Sequence, residues 1–214
     1  MQVTRLVLGP LDTNCWVVGD DLDGPVVIVD PADKPQDVLE AVGARSVEVI
    51  VLTHGHFDHL GAVAELVETT GAPLAMHEAD SGSVTSEVRN GASLFGFDLR
   101  APAPTRLLVD DEVFLAGEVE FRVISTPGHT PGGICLLARD MAGEEHLFSG
   151  DTLFAGSVGR TDFPGGDARA LARSIEVSLA PLGDDVSVHP GHGPDTTIGR
   201  ESRVNLFWPR DARS

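Results

Sequence analysis

One short segment of the sequence, THGHFDH at residues 53–59, carries four side chains of the kind that bind metal ions. His54 and His56 are two residues apart, so in extended backbone their imidazoles point to the same side. Asp58 and His59 come directly before a predicted helix, whose positive N-terminal end favours a carboxylate. Imidazole and carboxylate ligands at this spacing indicate a metal centre.

Three later segments share one form, in which a predicted strand ends in a glycine-rich loop that holds one possible ligand. They are TPGHTPGG at 126–133 with His129, FSGDT at 148–152 with Asp151, and HPGHG at 189–193 with His192. Glycines let such loops approach a common centre closely. A single histidine in a glycine-rich loop usually has a structural role, but the recurrence of the pattern predicts one shared site.

The elements that must position these loops are alternating strands and helices. Predicted strands cover 3–8, 14–18, 25–29, 47–52, 74–76, 106–109, 113–115, 119–124, 133–138, 146–148 and 186–189, and predicted helices cover 35–42, 60–70, 167–179 and 198–206. This order predicts two similar halves, each a sheet covered by helices on its outer face. Residues 80–104, rich in Gly, Ser and Pro, predict a loop with apolar anchors over the site.

The composition indicates one globular domain spanning residues 1–214. The formal net charge of −18 disfavours nucleic acid and anionic membranes as partners. No apolar run approaches the roughly 20 residues that span a bilayer. Cys15 and Cys135 stand in apolar surroundings and are expected to be buried thiols, although spacing alone does not exclude a disulfide. We therefore expect a cytoplasmic protein, as a monomer or small homo-oligomer.

The order HxHxDH, His129, Asp151, His192 resembles the metallo-β-lactamase superfamily. The stretch SGDTLFAGSVGRTDFPGG at 149–166, with GPLDTNC at 9–15 and HPGHGP at 189–194, is similar to short, single-domain relatives of glyoxalase II. The resemblance extends from about Val3 to about Leu206. It implies an α/β (α+β) fold of the four-layer αββα sandwich type.

The resemblance also implies a ligand set for two divalent metal ions. His54, His56 and His129 would hold one ion, Asp58, His59 and His192 the second, and Asp151 would bridge them. Zinc is the expected metal, and the same ligand types suit iron or manganese. The implied reaction is attack of a metal-bridging hydroxide on a thioester such as S-lactoylglutathione or a related ester. Metal binding lowers the pKa of the water that forms this hydroxide to roughly 7. Asp58 and Asp151 are the predicted catalytic carboxylates.

The sequence departs from two-domain glyoxalase II enzymes in the residues that recognise the substrate. Those enzymes use a C-terminal helical domain, a Lys and two Tyr, whereas only 22 residues follow His192 and the chain contains no Tyr. Arg160 falls at the Lys position, and Asp162 and Pro194 fall at the Tyr positions. Arg160 is therefore the predicted substrate-binding residue, pairing with a carboxylate of a small-molecule thioester.

Other functions remain as alternatives. Persulfide dioxygenases share the histidine loop and a segment like Gly159-Arg160-Thr161-Asp162, but use one iron held by residues matching His54, His129 and Asp151. A metal-binding domain without turnover is a further alternative. Many zinc β-lactamases have Cys where Asp151 stands, and a lactonase that requires an active-site Tyr is excluded by composition. Nuclease members act on a polyanion, which the charge disfavours.

Overall fold

The computed structural model describes residues 1–20 and 23–209. The first half contains β1 (Gln2–Leu8), β2 (Thr13–Gly19), β3 (Val26–Val29), α1 (Pro35–Val42), β4 (Val47–Val51), α2 (Val63–Thr70), β5 (Leu74–His77) and β6 (Arg106–Leu108). The second half contains β7 (Val113–Ala116), β8 (Val119–Ser125), β9 (Ile134–Arg139), β10 (Glu145–Gly150), β11 (Leu153–Phe154), β12 (Ser157–Val158), α3 (Ala168–Ser174), β13 (Ser187–Pro190), β14 (Thr196–Thr197) and α4 (Ile198–Val204).

Within the described residues the strands form two six-stranded sheets, with β11 and β12 as a separate hairpin. The first sheet has the order β1-β2-β3-β4-β5-β6, and its strands are parallel from β3 onward. The second sheet has the order β14-β13-β10-β9-β8-β7, in which β10 and β13 are parallel. The predicted ligand loops follow β4, β8, β10 and β13, so the strands deliver them to one region.

The alternation of side chains along each strand builds three apolar layers. In β3, Val27 and Val29 point into the core between the two sheets, whereas Val26 and Ile28 pack towards α1 and α2. In the second sheet Leu136 joins the central core, and neighbouring β9 residues pack against α3 and α4. Because each sheet buries both faces, helices must cover the outer ones, and the predicted four-layer αββα sandwich is confirmed.

The helices differ from the sequence prediction mainly at their ends. The helix predicted from residue 60 begins at Val63, after a 3-10 helix at Phe57–His59. Leu60 leaves the helical conformation with φ −123°, and Gly61 packs so closely that a Cβ would lie 2.2 Å from the Ala32 carbonyl oxygen. The helix predicted at 167–179 continues beyond α3 as a π-helical segment, Ile175–Leu179.

Cys15 and Cys135 are buried free thiols, as predicted. They lie in different outer core layers, one on each side of the sandwich. Burial raises the pKa of Cys135 to about 11, so its thiol stays protonated and behaves as an apolar core group. In the described part of the chain, no helix has the length and apolar character needed to cross a membrane.

Candidate metal centre

Three histidines from two loops form a first cluster of metal-ligand atoms. His54 and His56 lie on the loop after β4, and His129 lies on the loop after β8. One ring nitrogen from each of the three lies within 4.8 Å of the other two. The closest pair, His56 Nδ1 and His129 Nε2, is 2.8 Å apart. Converging imidazole nitrogens are a ligand set that suits a divalent transition metal.

Asp58, His59 and His192 form a second cluster, whose ligand atoms also lie within 4.8 Å of one another. The first two residues are in the 3-10 helix, and His192 follows β13. Asp58 Oδ2 lies 3.2 Å from His192 Nε2 and 3.6 Å from His59 Nε2. A carboxylate with two imidazoles suits the same kinds of ion as the first cluster.

Asp151, directly after β10, lies between the two clusters. Its Oδ2 is 3.5 Å from His129 Nε2 in the first cluster and 3.7 Å from His192 Nε2 in the second. Its Oδ1 is 3.5 Å from His59 Nε2. One carboxylate therefore faces both clusters, as a shared ligand of two cations must.

Four of the five clustered histidines turn Nδ1 towards an oxygen atom outside the clusters. The pairs are His54 with Thr53 Oγ1 at 3.1 Å, His59 with Asp30 Oδ2 at 3.0 Å, His129 with the Arg160 carbonyl at 2.7 Å, and His192 with the Leu11 carbonyl at 3.1 Å. A proton on Nδ1 leaves the Nε2 lone pair free to face the clusters. Such outer contacts fix the tautomer and orientation of metal-binding histidines.

Several inward-facing atoms have no hydrogen-bond partner among the described residues. They are His54 Nε2, His59 Nε2 and Asp151 Oδ1, all buried. Buried polar atoms are normally paired, and leaving one unpaired is costly. Divalent cations would satisfy all three atoms, and the His and Asp clusters together fit a dinuclear site.

The clusters also differ in how they hold protons. Burial, reinforced by the neighbouring His129, lowers the pKa of His56 to about 3, and burial holds that of His54 well below its usual value. Burial would also lower the pKa of His59, but three surrounding carboxylates outweigh it and raise that pKa to about 10. Burial would raise the pKa of Asp58, yet the charges of His59 and His192 hold it well below its usual range. The second cluster is therefore arranged to hold positive charge.

Asp30 is a residue at this centre that the sequence analysis did not predict. It is buried, and its carboxylate accepts hydrogen bonds from Thr53 N at 2.8 Å and Thr53 Oγ1 at 2.6 Å as well as contacting His59. These bonds make it an anchor of the histidine loop. The available signal was its place at the carboxyl end of β3, which is parallel and adjacent to β4.

A cavity of about 450 Å³ opens over the two clusters. Its lining includes ligand-type residues of both clusters and Asp151, and the remaining lining residues are largely apolar, with Leu11, Phe95, Phe154, Val158 and Phe163. Phe95 and Asn90 belong to the 80–104 segment, so part of this segment lies at the site, as predicted. The shape and lining suit a small substrate with an apolar portion.

Arg160 also lines this cavity, but its guanidinium already has two partners. It forms a bidentate pair with Asp162, with both N–O distances 2.7 Å, and lies 3.9 Å above the Phe163 ring centroid. The pair is at the protein surface, where such contacts are weak. Arg160, the predicted substrate-binding residue, therefore lies at the site, where its guanidinium pairs with Asp162 in a weak surface contact.

The remaining histidines lie outside both clusters. His77 caps the 3-10 helix Glu78–Asp80 by accepting a hydrogen bond from Ala79 N. His146 Nδ1 lies 2.8 Å from His189 Nε2, and the His189 ring packs against Phe148. These contacts give all three histidines structural roles outside the two clusters.

Comparison with protein families gives a match to the model described as "Metallo-beta-lactamase superfamily" over residues 8–196. The chain is 32% identical to the hydroxyacylglutathione hydrolase GloC of Haemophilus influenzae, over 97% of this chain and 98% of that protein.

Among solved structures, the fold is similar to the B3 metallo-beta-lactamase BLEG-1, with a TM-score of 0.89, 35% identity, and coverage of 96% of this chain and 99% of that one. TTHA1623 in a di-iron-bound form gives a TM-score of 0.79 and 40% identity, covering 96% and 100% of the two chains. ETHE1 from Myxococcus xanthus gives a TM-score of 0.77 and 27% identity, covering 96% and 84%.

Proposed function

The chain belongs to the metallo-beta-lactamase superfamily of metal-dependent enzymes, and from this premise we propose that it is a hydrolase that cleaves thioesters in the manner of glyoxalase II. The observation that carries the proposal is the position of Asp151, whose carboxylate faces two separate His-containing clusters. A two-metal site would suit hydrolysis at a carbonyl, because bound metal ions can lower the pKa of a water molecule that serves as nucleophile and can polarise the carbonyl oxygen.

In this proposal the two clusters and Asp151 hold two divalent ions, with zinc as the expected metal. When bound, these ions supply Lewis acidity and a hydroxide nucleophile at neutral pH. Asp58 and Asp151 contribute negative charge that holds the ions in place. The Nδ1 partners of the histidines keep the Nε2 atoms directed inward.

The cavity supports a small thioester as the substrate. Its apolar lining, with Phe95, Phe154 and Phe163, could pack against the apolar part of such a substrate. Arg160 is the proposed partner of a substrate carboxylate, which would replace Asp162 in the bidentate pair. S-Lactoylglutathione is the first substrate to test, because the relative GloC is a hydroxyacylglutathione hydrolase. The buried free thiols support a cytoplasmic location.

A second candidate is a mononuclear-iron persulfide dioxygenase. The Gly159–Asp162 segment favours it, as does the proximity of Asp151 to His129 and of His129 to His54. This reaction needs one iron, so it gives no role to Asp58, His59 and His192 as a second set of ligands. The intact second cluster is the reason to place the hydrolase first.

The test combines metal analysis with two assays on protein purified without added metal. Two metals per chain and anaerobic hydrolysis of S-lactoylglutathione would support the hydrolase. One iron per chain and oxygen uptake with glutathione persulfide would overturn it in favour of the dioxygenase. Metal-loaded protein that is inert towards a broad panel of thioesters and esters would overturn both and leave a metal-binding domain.

A further inference from the structure

Asp80 is a buried carboxylate that contacts two of the ligand-bearing loops. It ends the 3-10 helix Glu78–Asp80 directly after β5, and only 2% of the residue is exposed. Its Oδ2 accepts a hydrogen bond from Gly55 N at 3.0 Å, and its Oδ1 accepts one from Gly132 N at 2.8 Å. One side chain therefore joins backbone groups 25 and 52 residues away.

Both glycines belong to the loops that form the three-histidine cluster. Gly55 separates His54 from His56, and Gly132 is three residues beyond His129. The structure describes no Lys or Arg paired with Asp80, so the two backbone N–H groups are what stabilise its buried charge. Charge-assisted hydrogen bonds of this kind are stronger than neutral ones and hold their donors in a fixed direction.

The loops also pack against this residue at close range. A Cβ atom at Gly132 would lie 2.6 Å from Asp80 N and 2.8 Å from its Oδ1. A Cβ atom at Gly55 would lie 3.2 Å from the Asp80 carbonyl oxygen. Glycine at both positions lets the two loops approach residue 80 as closely as backbone atoms allow.

We propose that Asp80 is a positioning residue that sets the distance between the His54–His56 pair and His129, and thereby the affinity of the first metal ion. The inference rests on the metal centre of the proposed function and not on the identity of the substrate. The loops have another link, because Ile134 N donates to the Thr53 carbonyl at 2.9 Å. Loss of the carboxylate is therefore expected to loosen the cluster without separating the loops.

The first experiment is the variant Asp80→Asn. Asparagine has one carbonyl oxygen in place of two carboxylate oxygens, so its NH₂ group must face one of the two backbone N–H donors. Metal affinity is measured by competition with a chelator, using Zn²⁺ and then Co²⁺, whose visible absorption reports ligand geometry. We expect one of the two ions to bind about 10- to 100-fold more weakly, with an altered Co²⁺ spectrum, and the other to bind as in wild type.

The matched control is Glu201→Gln, which also neutralises a fully buried carboxylate. Glu201 accepts from Gly156 N at 2.7 Å and from Thr196 Oγ1 at 2.6 Å, and it pairs with Arg200 Nη1 at 2.9 Å. None of these partners belongs to the 53–59 loop or to the loop carrying His129. This variant is expected to lower the stability of the metal-free protein while retaining wild-type affinity for both ions. A purely structural role for Asp80 would give the same result in Asp80→Asn, with both metal affinities and the Co²⁺ spectrum unchanged, and would overturn the proposal.

A second variant, Gly132→Ala, tests the same contact if Asp80→Asn does not fold. It keeps the carboxylate but forces the loop away from residue 80, so the same selective loss of one ion is expected. Retention of both affinities in Gly132→Ala would overturn the proposal. Wild-type protein that fails to bind two ions would instead contradict the proposed function, so the two failures are distinguishable.

Discussion

His59 Nδ1 lies 3.0 Å from Oδ2 of Asp30, and both side chains are almost completely buried. The same carboxylate accepts two hydrogen bonds from Thr53, which begins the histidine loop. Asp30 itself has a positive φ of 51°, a conformation that non-glycine residues adopt at a cost. The fold thus places a charged group at the end of β3 to orient an imidazole from the next strand's loop.

The first prediction concerns Asp30→Asn. The substitution removes the charge that holds the His59 Nδ1 proton and leaves an amide NH₂ facing Thr53, so the imidazole loses its fixed direction. We expect the ion held by Asp58, His59 and His192 to bind about 10- to 100-fold more weakly. Chelator competition measures the change.

Asp33→Asn is the matched control, because Asp33 is an exposed carboxylate only three residues away. It should leave the affinity for both ions unchanged. Equal metal affinity in Asp30→Asn and Asp33→Asn would show that Asp30 does not act through His59.

The strands and the ligand loops were predictable because their signals are local. Apolar runs bounded by Gly and Pro predicted most strands to within one or two residues of their observed ends. The ligand motifs predicted seven residues that lie together in the two clusters and Asp151, and five of them line the cavity. The fold was predicted from the resemblance of those motifs to the metallo-β-lactamase superfamily, together with the order of the predicted strands and helices. Two-residue strands such as β11 and β14 were missed, since they carry too few residues to show a period.

Asp30 and Asp80 were not predictable as parts of the site. Each is a polar residue at the end of a strand or 3-10 helix. Its role depends on contacts with residues that are 23 to 52 positions away in the sequence. The start of α2 was misplaced for a similar reason. Leu60 and Gly61 continue an apolar helical pattern, but the close approach of Gly61 to Ala32 in the folded chain interrupts the helix.

The second prediction concerns Asp151, the carboxylate between the clusters. Asp151→Ala removes the carboxylate that faces both sets of histidines, so neither cluster would keep its shared carboxylate ligand. We expect metal content and thioesterase activity to fall together, with kcat/KM reduced at least about 100-fold. Asp151→Asn, which keeps one oxygen ligand, should lie between the wild type and Asp151→Ala. Elemental analysis and the hydrolysis assay test this, and full activity with both metals retained would contradict the assignment.

The third prediction separates Arg160 from its neighbour Asp162. Since Asp162 occupies the guanidinium edge that a substrate carboxylate would use, Asp162→Asn should lower KM for an anionic thioester by about two- to fivefold, the range of a surface ion pair. Arg160→Gln should raise that KM. Neither substitution should change KM for an uncharged thioester, such as an N-acetylcysteamine ester. Identical shifts of KM for the anionic and the uncharged substrate would mean that the Arg160–Asp162 pair affects the shape of the cavity and does not bind a substrate carboxylate.

The last prediction concerns the pH dependence of folding and uses His189, away from the metal ligands. Its ring packs 5.0 Å from Phe148 and 4.8 Å from Trp16, between centroids. Burial, with the adjacent His146 imidazole, lowers the pKa of His189 to about 4, although the charge of Asp195 opposes the shift. Because the folded pKa lies below the unfolded value of roughly 6.5, the unfolded chain binds more protons between these two values.

The neutral His189 therefore contributes stability that is present above about pH 6.5 and is lost as the pH falls towards 4. The loss should be about 1–3 kcal/mol in the free energy of unfolding. Urea unfolding of the metal-free protein at pH 7.5 and pH 4.5 measures it, since acid also releases metal from the holoenzyme. His189→Phe keeps an aromatic ring against Phe148 but cannot take up a proton. Its stability should fall less between the two pH values than that of wild type, and equal falls would show that another group controls the acid response.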